Sequence, residues 1–190
     1  MKPLTPLVIC LVGFPGAGKL TIAQNLARSI NATVVDNHGI NHPILRLVAR
    51  DNLTPAPDAV WPLVAQVRRA VLEAIATLAP NDRSFIFTYA GSDEDPADRK
   101  AFDEYREVAN RRGAHFVPVR LLCEENELAR RIQSPGRRGR KLIDAAEAIH
   151  KVRSYTVLNP RAPNGLTLDV TRLSPEAAAA IIFEHIQSVL

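Results

Sequence analysis

The apolar run Leu7-Val8-Ile9-Cys10-Leu11-Val12 leads directly into Gly13-Phe14-Pro15-Gly16-Ala17-Gly18-Lys19, and behind it Ile22, Leu26 and Ile30 recur at helical spacing. Few local sequences constrain a fold as tightly. A buried strand must stop, the backbone must curl, and a helix must start, all within seven residues. Glycines allow the curl because they accept backbone angles that side chains forbid. Such a curl turns successive N–H groups inward, and the first turn of the following helix adds partial positive charge at the same point. The spacing G-x-x-x-x-G-K therefore describes a phosphate-cradling loop, with Lys19 neutralising the outer phosphates. One position departs from the usual pattern. Leu20 stands where a Ser or Thr hydroxyl would ligate Mg²⁺, and Thr21 lies about 100° further round the helix. The departure bears on the metal geometry more than on the nucleotide.

Apolar runs and helical patterns alternate along the rest of the chain. This predicts an α/β fold, a doubly wound sheet of five mostly parallel strands. The strands are expected near 7–12, 33–36, 85–89, 116–123 and 166–170. Helices are expected near 19–30, 43–50, 58–79, from 96 to about 112, and over 124–132 and 145–153, with one more behind Ser174-Pro175. Val60, Val64, Val67, Val71, Ile75 and Leu78 form the clearest apolar stripe. Asp95-Pro96 and Ser174-Pro175 read as N-caps followed by proline, and Asp144-x-x-Glu147 resembles a capping box. Pro118 is expected at a strand start or a bulge, because it lacks a ladder donor. Right-handed crossovers would bring the strand C-termini, and any ligand, to one edge.

The 190 residues suit one domain with a real core, read here as 1–190, and 46% apolar residues exclude a disordered composition. No apolar run approaches a membrane span. A cleaved signal peptide would remove the loop, so a cytoplasmic location is expected. Cys10 and Cys123 read as buried reduced thiols. The net charge of +4 is no argument for nucleic acid, although 19 of the 24 basic residues are Arg.

With its glycine loop and the Arg-rich stretch Arg130-Arg131-Ile132-Gln133-Ser134-Pro135-Gly136-Arg137-Arg138-Gly139-Arg140-Lys141, the chain resembles the small P-loop kinases of metabolism. Shikimate kinase, gluconate kinase, chloramphenicol phosphotransferase and the nucleoside monophosphate kinases belong to that group. Gly18-Lys19-Leu20-Thr21 followed by Asp36-Asn37-His38 looks like a little-characterised branch of it. The resemblance implies a P-loop NTPase fold of the nucleoside-monophosphate-kinase or shikimate-kinase type, ATP and Mg²⁺, and a small hydroxyl- or phosphate-bearing acceptor. It implies that Gly13, Pro15, Gly16, Ala17, Gly18, Lys19, Leu20 and Thr21 hold the phosphates. A lid of about 133–142 would bring Arg137, Arg138 and Arg140 over them, with Arg130 or Arg131 against adenine. Asp36 would orient or deprotonate the acceptor, or hold Mg²⁺ through water, unless it is a strand-end cap. The acceptor region would be about 37–70, with Asn37 and His38 lining it, and Asp93 a further water-mediated metal or acceptor contact unless it belongs to an ordinary acidic turn.

Lesser candidates are Thr171 and Arg172 near adenine. Trp61 is expected in the core rather than against a substrate. His38 and His42 stand four apart, but Gly39 and Pro43 argue against a regular helix and hence against zinc. The leading expectation is an ATP-dependent kinase acting on a small-molecule hydroxyl. The alternatives are a non-catalytic ATP-binding protein with an altered Mg²⁺ site, motivated by Leu20, and a nucleic-acid kinase or binder, motivated by the arginine excess. Nucleic acid and membranes are not expected partners.

Overall fold

In a computed structural model, residues 6–48, 56–133 and 145–190 are described. Five parallel strands form one sheet in the order β2-β3-β1-β4-β5. They are β1 (Leu7–Val12), β2 (Ala32–Val35), β3 (Ser84–Tyr89), β4 (His115–Leu122) and β5 (Leu166–Asp169). The helices are α1 (Lys19–Ile30), α2 (Asn37–Val48), α3 (Val60–Thr77), α4 (Pro96–Arg111), α5 (Glu125–Ile132), α6 (Ala145–Ser154) and α7 (Pro175–Val189). The doubly wound expectation holds.

Strand β1 is buried throughout because helices cover both faces of the sheet. Leu7, Ile9 and Leu11 face Ile22 and Leu26 of α1 and Ile182 and Ile186 of α7. The alternate residues Val8, Cys10 and Val12 face Phe85 and Phe87 of β3, Phe102 and Tyr105 of α4, and Leu72 and Ile75 of α3. With β3 on one side of β1 and β4 on the other, the chain order reverses at β1, and the loop behind it opens at that switch point.

Local signals placed most ends correctly. Asp95 caps α4 by accepting from the Ala97 N–H at 2.8 Å, and Ser174 caps α7 from Ala177 at 3.1 Å. Gly113, at φ 58°, terminates the turn after α4. Asp144 lies outside the described residues.

Four expectations need correction. Helix α2 starts at Asn37, not 43, and carries Pro43 inside it. Proline costs the helix one hydrogen bond, to the carbonyl of Gly39. The first turn is anchored from outside: Thr88 Oγ1 accepts from the Asn37 N–H at 3.0 Å. Pro118 lies within β4, in register with Cys10, rather than at its start. The ladder to β5 begins only at Val119, so residue 118 has β1 as its paired neighbour. Trp61 is not in the core but 48% exposed, because it sits one position off the stripe that buries Val60 and Val64. Leu78 is likewise exposed, at the C-cap of α3.

In the second layer, beside the α3–α4 ion pairs Arg68–Glu104 and Arg111–Glu73, one side chain gathers several backbone carbonyls. Arg112 donates to the carbonyls of Ile75 (2.5 Å), Pro80 (2.7 Å) and Arg83 (3.0 Å), and its guanidinium sits 5.0 Å from the Phe85 ring centre. It ties the end of α3 to the entry of β3 and the end of α4. Arg112→Leu is expected to lower unfolding free energy by about 2–3 kcal/mol, read by urea denaturation. An unchanged midpoint would contradict this role.

Candidate active site

The loop between β1 and α1 takes its shape from two left-handed glycines, Gly16 at φ 98° and Gly18 at φ 83°. At Gly16 the need is also steric. A Cβ there would stand 2.8 Å from Leu128 Cδ2 of α5, so the helix packs on a bare α-carbon. The loop entry is pinned where the Gly13 N–H donates to the Tyr89 carbonyl at the end of β3 (3.1 Å). Lys19 folds back over the loop, its Nζ donating to the carbonyls of Gly13 (2.6 Å) and Phe14 (3.0 Å).

No side chain caps the N-terminus of α1, and its first turn carries no acidic residue. Its leading N–H groups and the lysine thus form a positive concavity suited to phosphate oxygens. The residues present fit a nucleotide triphosphate tail. For Mg²⁺ they offer less: Leu20 has no oxygen to give, and no group of three or more His, Cys, Asp or Glu among the described residues could hold a metal. This donor set fits a cation held by phosphate oxygens and water, as Mg²⁺ usually is.

Asp36 follows β2 at the same edge. Its Oδ1 accepts from Thr88 Oγ1 at 2.6 Å, and the Thr88 oxygen accepts in turn from the Asn37 N–H. Thr88, only 1% exposed within β3, thereby aims the carboxylate and starts α2 with one hydroxyl. Sequence reasoning did not single out Thr88. The available signal was a lone hydroxyl in the otherwise apolar centre of Ser84-Phe85-Ile86-Phe87-Thr88-Tyr89. Asn37 and His38 occupy the first turn of α2 behind Asp36. His38 and His42, expected off any regular helix, share α2 with ring centres 4.9 Å apart.

Asp93 has other commitments. It pairs with Arg99 at 2.6 Å and accepts from the Asn159 N–H at 3.1 Å, while its own N–H donates to the Thr156 carbonyl at 3.0 Å. With Glu94 accepting from the Thr156 N–H and Gly91 from the Leu158 N–H, the loop after β3 is fastened to the segment after α6. The structure thus gives Asp93 a strut-like placement.

On the other side of the loop, Glu127 of α5 accepts from both Arg130 and Arg131, at 2.7 and 2.6 Å. These two guanidinium groups hold the Glu127 carboxyl down to about 2. Arg130 is 73% exposed, whereas Arg131 reaches inward to the carbonyls of Val170 and Thr171 (2.8 and 3.1 Å). A Cβ on Gly18 would lie 3.9 Å from its Nη1. Arg131 therefore holds the turn after β5 and stands close to Gly18 of the glycine loop. In that turn Thr171 Oγ1 accepts from the Glu124 N–H. Arg137, Arg138 and Arg140 lie outside the described residues. Burial pushes the Cys10 thiol far up, so it stays protonated and inert, and Cys123 is raised for the same reason though only half-buried.

No curated protein matches the chain. Among solved structures, it is similar to a gluconokinase from Sinorhizobium meliloti 1021 (18% identity, 97% of this chain and 98% of that one, TM-score 0.62). It is similar to a shikimate kinase from Acinetobacter baumannii in complex with shikimate (17%, 98% and 96%, TM-score 0.61). It is also similar to the Mycobacterium tuberculosis APS kinase CysC (18%, 97% and 99%, TM-score 0.60). At these identities the likeness shows the fold, a P-loop kinase fold. A family model described as an AAA domain, AAA_33, matches residues 8–156, from β1 through the glycine loop to just beyond α6, and the chain belongs to that P-loop family.

Proposed function

We propose that the protein is an ATP-dependent phosphotransferase acting on the hydroxyl of a small molecule. The observation that carries this reading is the shared edge: Lys19, on its glycine loop after β1, and Asp36, after β2 and aimed by Thr88, stand at the C-terminal edge of the sheet on either side of β3. A bare nucleotide-binding module has no need of an oriented carboxylate beside its phosphate loop.

In this reading the loop N–H groups and Lys19 hold the β- and γ-phosphates and offset charge as it builds on the transferring group. The acceptor oxygen bonds to the γ-phosphorus while the bond from that phosphorus to the β–γ bridging oxygen breaks. Asp36 Oδ2 takes the hydroxyl proton and returns it to solvent, and ADP leaves with the bridging oxygen. Mg²⁺, when bound, would neutralise phosphate charge, and Asp36 would hold one of its waters. Asn37 and His38, in the first turn of α2, line the acceptor side, and Arg131 borders the nucleotide base. The lid arginines Arg137, Arg138 and Arg140 belong to the same proposal by resemblance. The absence of a hydroxyl at Leu20 favours one rival, a nucleotide-binding protein without transfer.

An ADP-release screen over small alcohols, sugars and hydroxy acids separates the two. Stimulated ADP release by at least one class is expected. For that acceptor, Asp36→Asn should lower kcat by about 100-fold or more with ATP affinity within about threefold of wild type. Thr88→Val should lower kcat by about tenfold, through a misaimed carboxylate. ATP binding with no acceptor able to raise ADP release would favour the rival, and full activity in Asp36→Asn would remove the carboxylate from the mechanism.

A further inference from the structure

Helix α2 sets two histidines one turn apart. His38 and His42 stand at i and i+4, so their side chains leave the same face of the helix. Their ring centres are 4.9 Å apart, and the ring planes meet at 46°. That separation is the one a shared ion requires. An ion held at about 2.0–2.1 Å by one nitrogen of each ring, with a bond angle between square and tetrahedral, keeps the ring centres about 4.5–5.2 Å apart. Both residues are only partly exposed. The backbone beneath them is fixed, because the Thr88 hydroxyl anchors the start of α2 and Pro43 locks φ just behind His42. Little freedom is left to lose when an ion binds.

The surroundings define the kind of site. No group of three His, Cys, Asp or Glu able to hold a metal occurs among the described residues, so the pair offers two protein ligands and no more of those types. Structural zinc is closed in by four protein ligands, whereas a site with open positions leaves bonds for water or a small molecule. Imidazole suits Zn²⁺, Ni²⁺ and Cu²⁺, while Mg²⁺ keeps to oxygen donors. The pair is therefore chemically distinct from any site for the Mg²⁺ that accompanies phosphates. Asn41 adds a second observation. It lies three positions after His38, its Oδ1 is buried, and no hydrogen-bond donor reaches that oxygen among the described residues. A ligating imidazole gives its other ring N–H, and a metal-bound water its hydrogens, to acceptors of this type.

We propose that His38 and His42 chelate a divalent transition-metal ion of the Zn²⁺ or Ni²⁺ class, with its remaining positions open to water or to a donor atom of a small molecule. The proposal does not depend on the phosphotransferase reading, and its test contains no nucleotide.

ZnCl₂ and NiCl₂ are titrated calorimetrically into the metal-stripped, tag-free, full-length protein in excess Mg²⁺. One ion per chain is expected, with binding about tenfold or more weaker in His38→Gln and in His42→Gln. The double variant His42→Gln with Pro43→His keeps the number of histidines but sets the two about 140° apart round the helix. Pro43 is exposed, so the change is tolerated, and the double variant should bind as weakly as His42→Gln. Ring ¹H–¹⁵N spectra give the location: at one equivalent, Zn²⁺ should shift His38 and His42 and leave the other three of the five histidines in place. Thermal unfolding checks each variant, and the ring spectra of the wild type carry the test if the variants do not fold. No binding, displacement of the ion by excess Mg²⁺, full binding in either single variant or in the double variant, or shifts confined to other rings would overturn the proposal.

Discussion

The contact between α5 and the bare α-carbon of Gly16 governs the geometry around it. It seats the Leu128 side chain and backbone carbonyl against the loop where an added Cβ would crowd both. Because α5 carries Glu127 and Arg131, that seating also delivers a guanidinium to the carbonyls of Val170 and Thr171 and to the space beside Gly18. The loop, α5 and the turn after β5 thus lie together around a cluster of backbone N–H groups. A larger residue at position 16 would disturb all three at once, since interiors this close-packed transmit strain rather than absorb it.

The opposite half of the edge is organised by polar groups. Thr88 fixes Asp36 and the first turn of α2, and the Asp98 carboxylate accepts from Tyr89 and from the Ser92 N–H. The loop after β3 is in turn bonded to the segment after α6. The bonds at Thr88, Asp36 and Asp98 are partly buried, which strengthens them, whereas the bond from Thr156 to Glu94 is solvent-exposed. Tyr89 and Tyr105, both raised well above the ordinary tyrosine range by burial, remain neutral under any working condition and act as packing groups. A rigid base with two separately fastened sides is the arrangement that an in-line transfer between two small molecules requires.

Much of this was legible in the sequence, for identifiable reasons. The glycine loop, the strand before it and the helix behind it were readable because backbone chemistry there leaves few options. The same holds for the Asp95 and Ser174 caps. Residues whose roles depend on distant partners were not readable. Thr88 matters through Asp36, 52 positions away, and nothing local announces that pairing. Helix α2 ignored the propensities of Gly39 and Pro43 because its start is anchored by β3, so tertiary anchoring outweighed local preference. Trp61 was misplaced because a stripe of valines tolerates either phase at its margin.

The central claim is that the glycine loop and Lys19 form a working nucleotide triphosphate site despite Leu20. Calorimetric titration of ATP into the wild-type protein and Lys19→Ala, with and without Mg²⁺, addresses it most directly. Saturable ATP binding that Mg²⁺ strengthens and Lys19→Ala reduces by about 100-fold is the predicted result. Absence of binding to the wild type in both conditions, or equal binding by the two proteins, would contradict it.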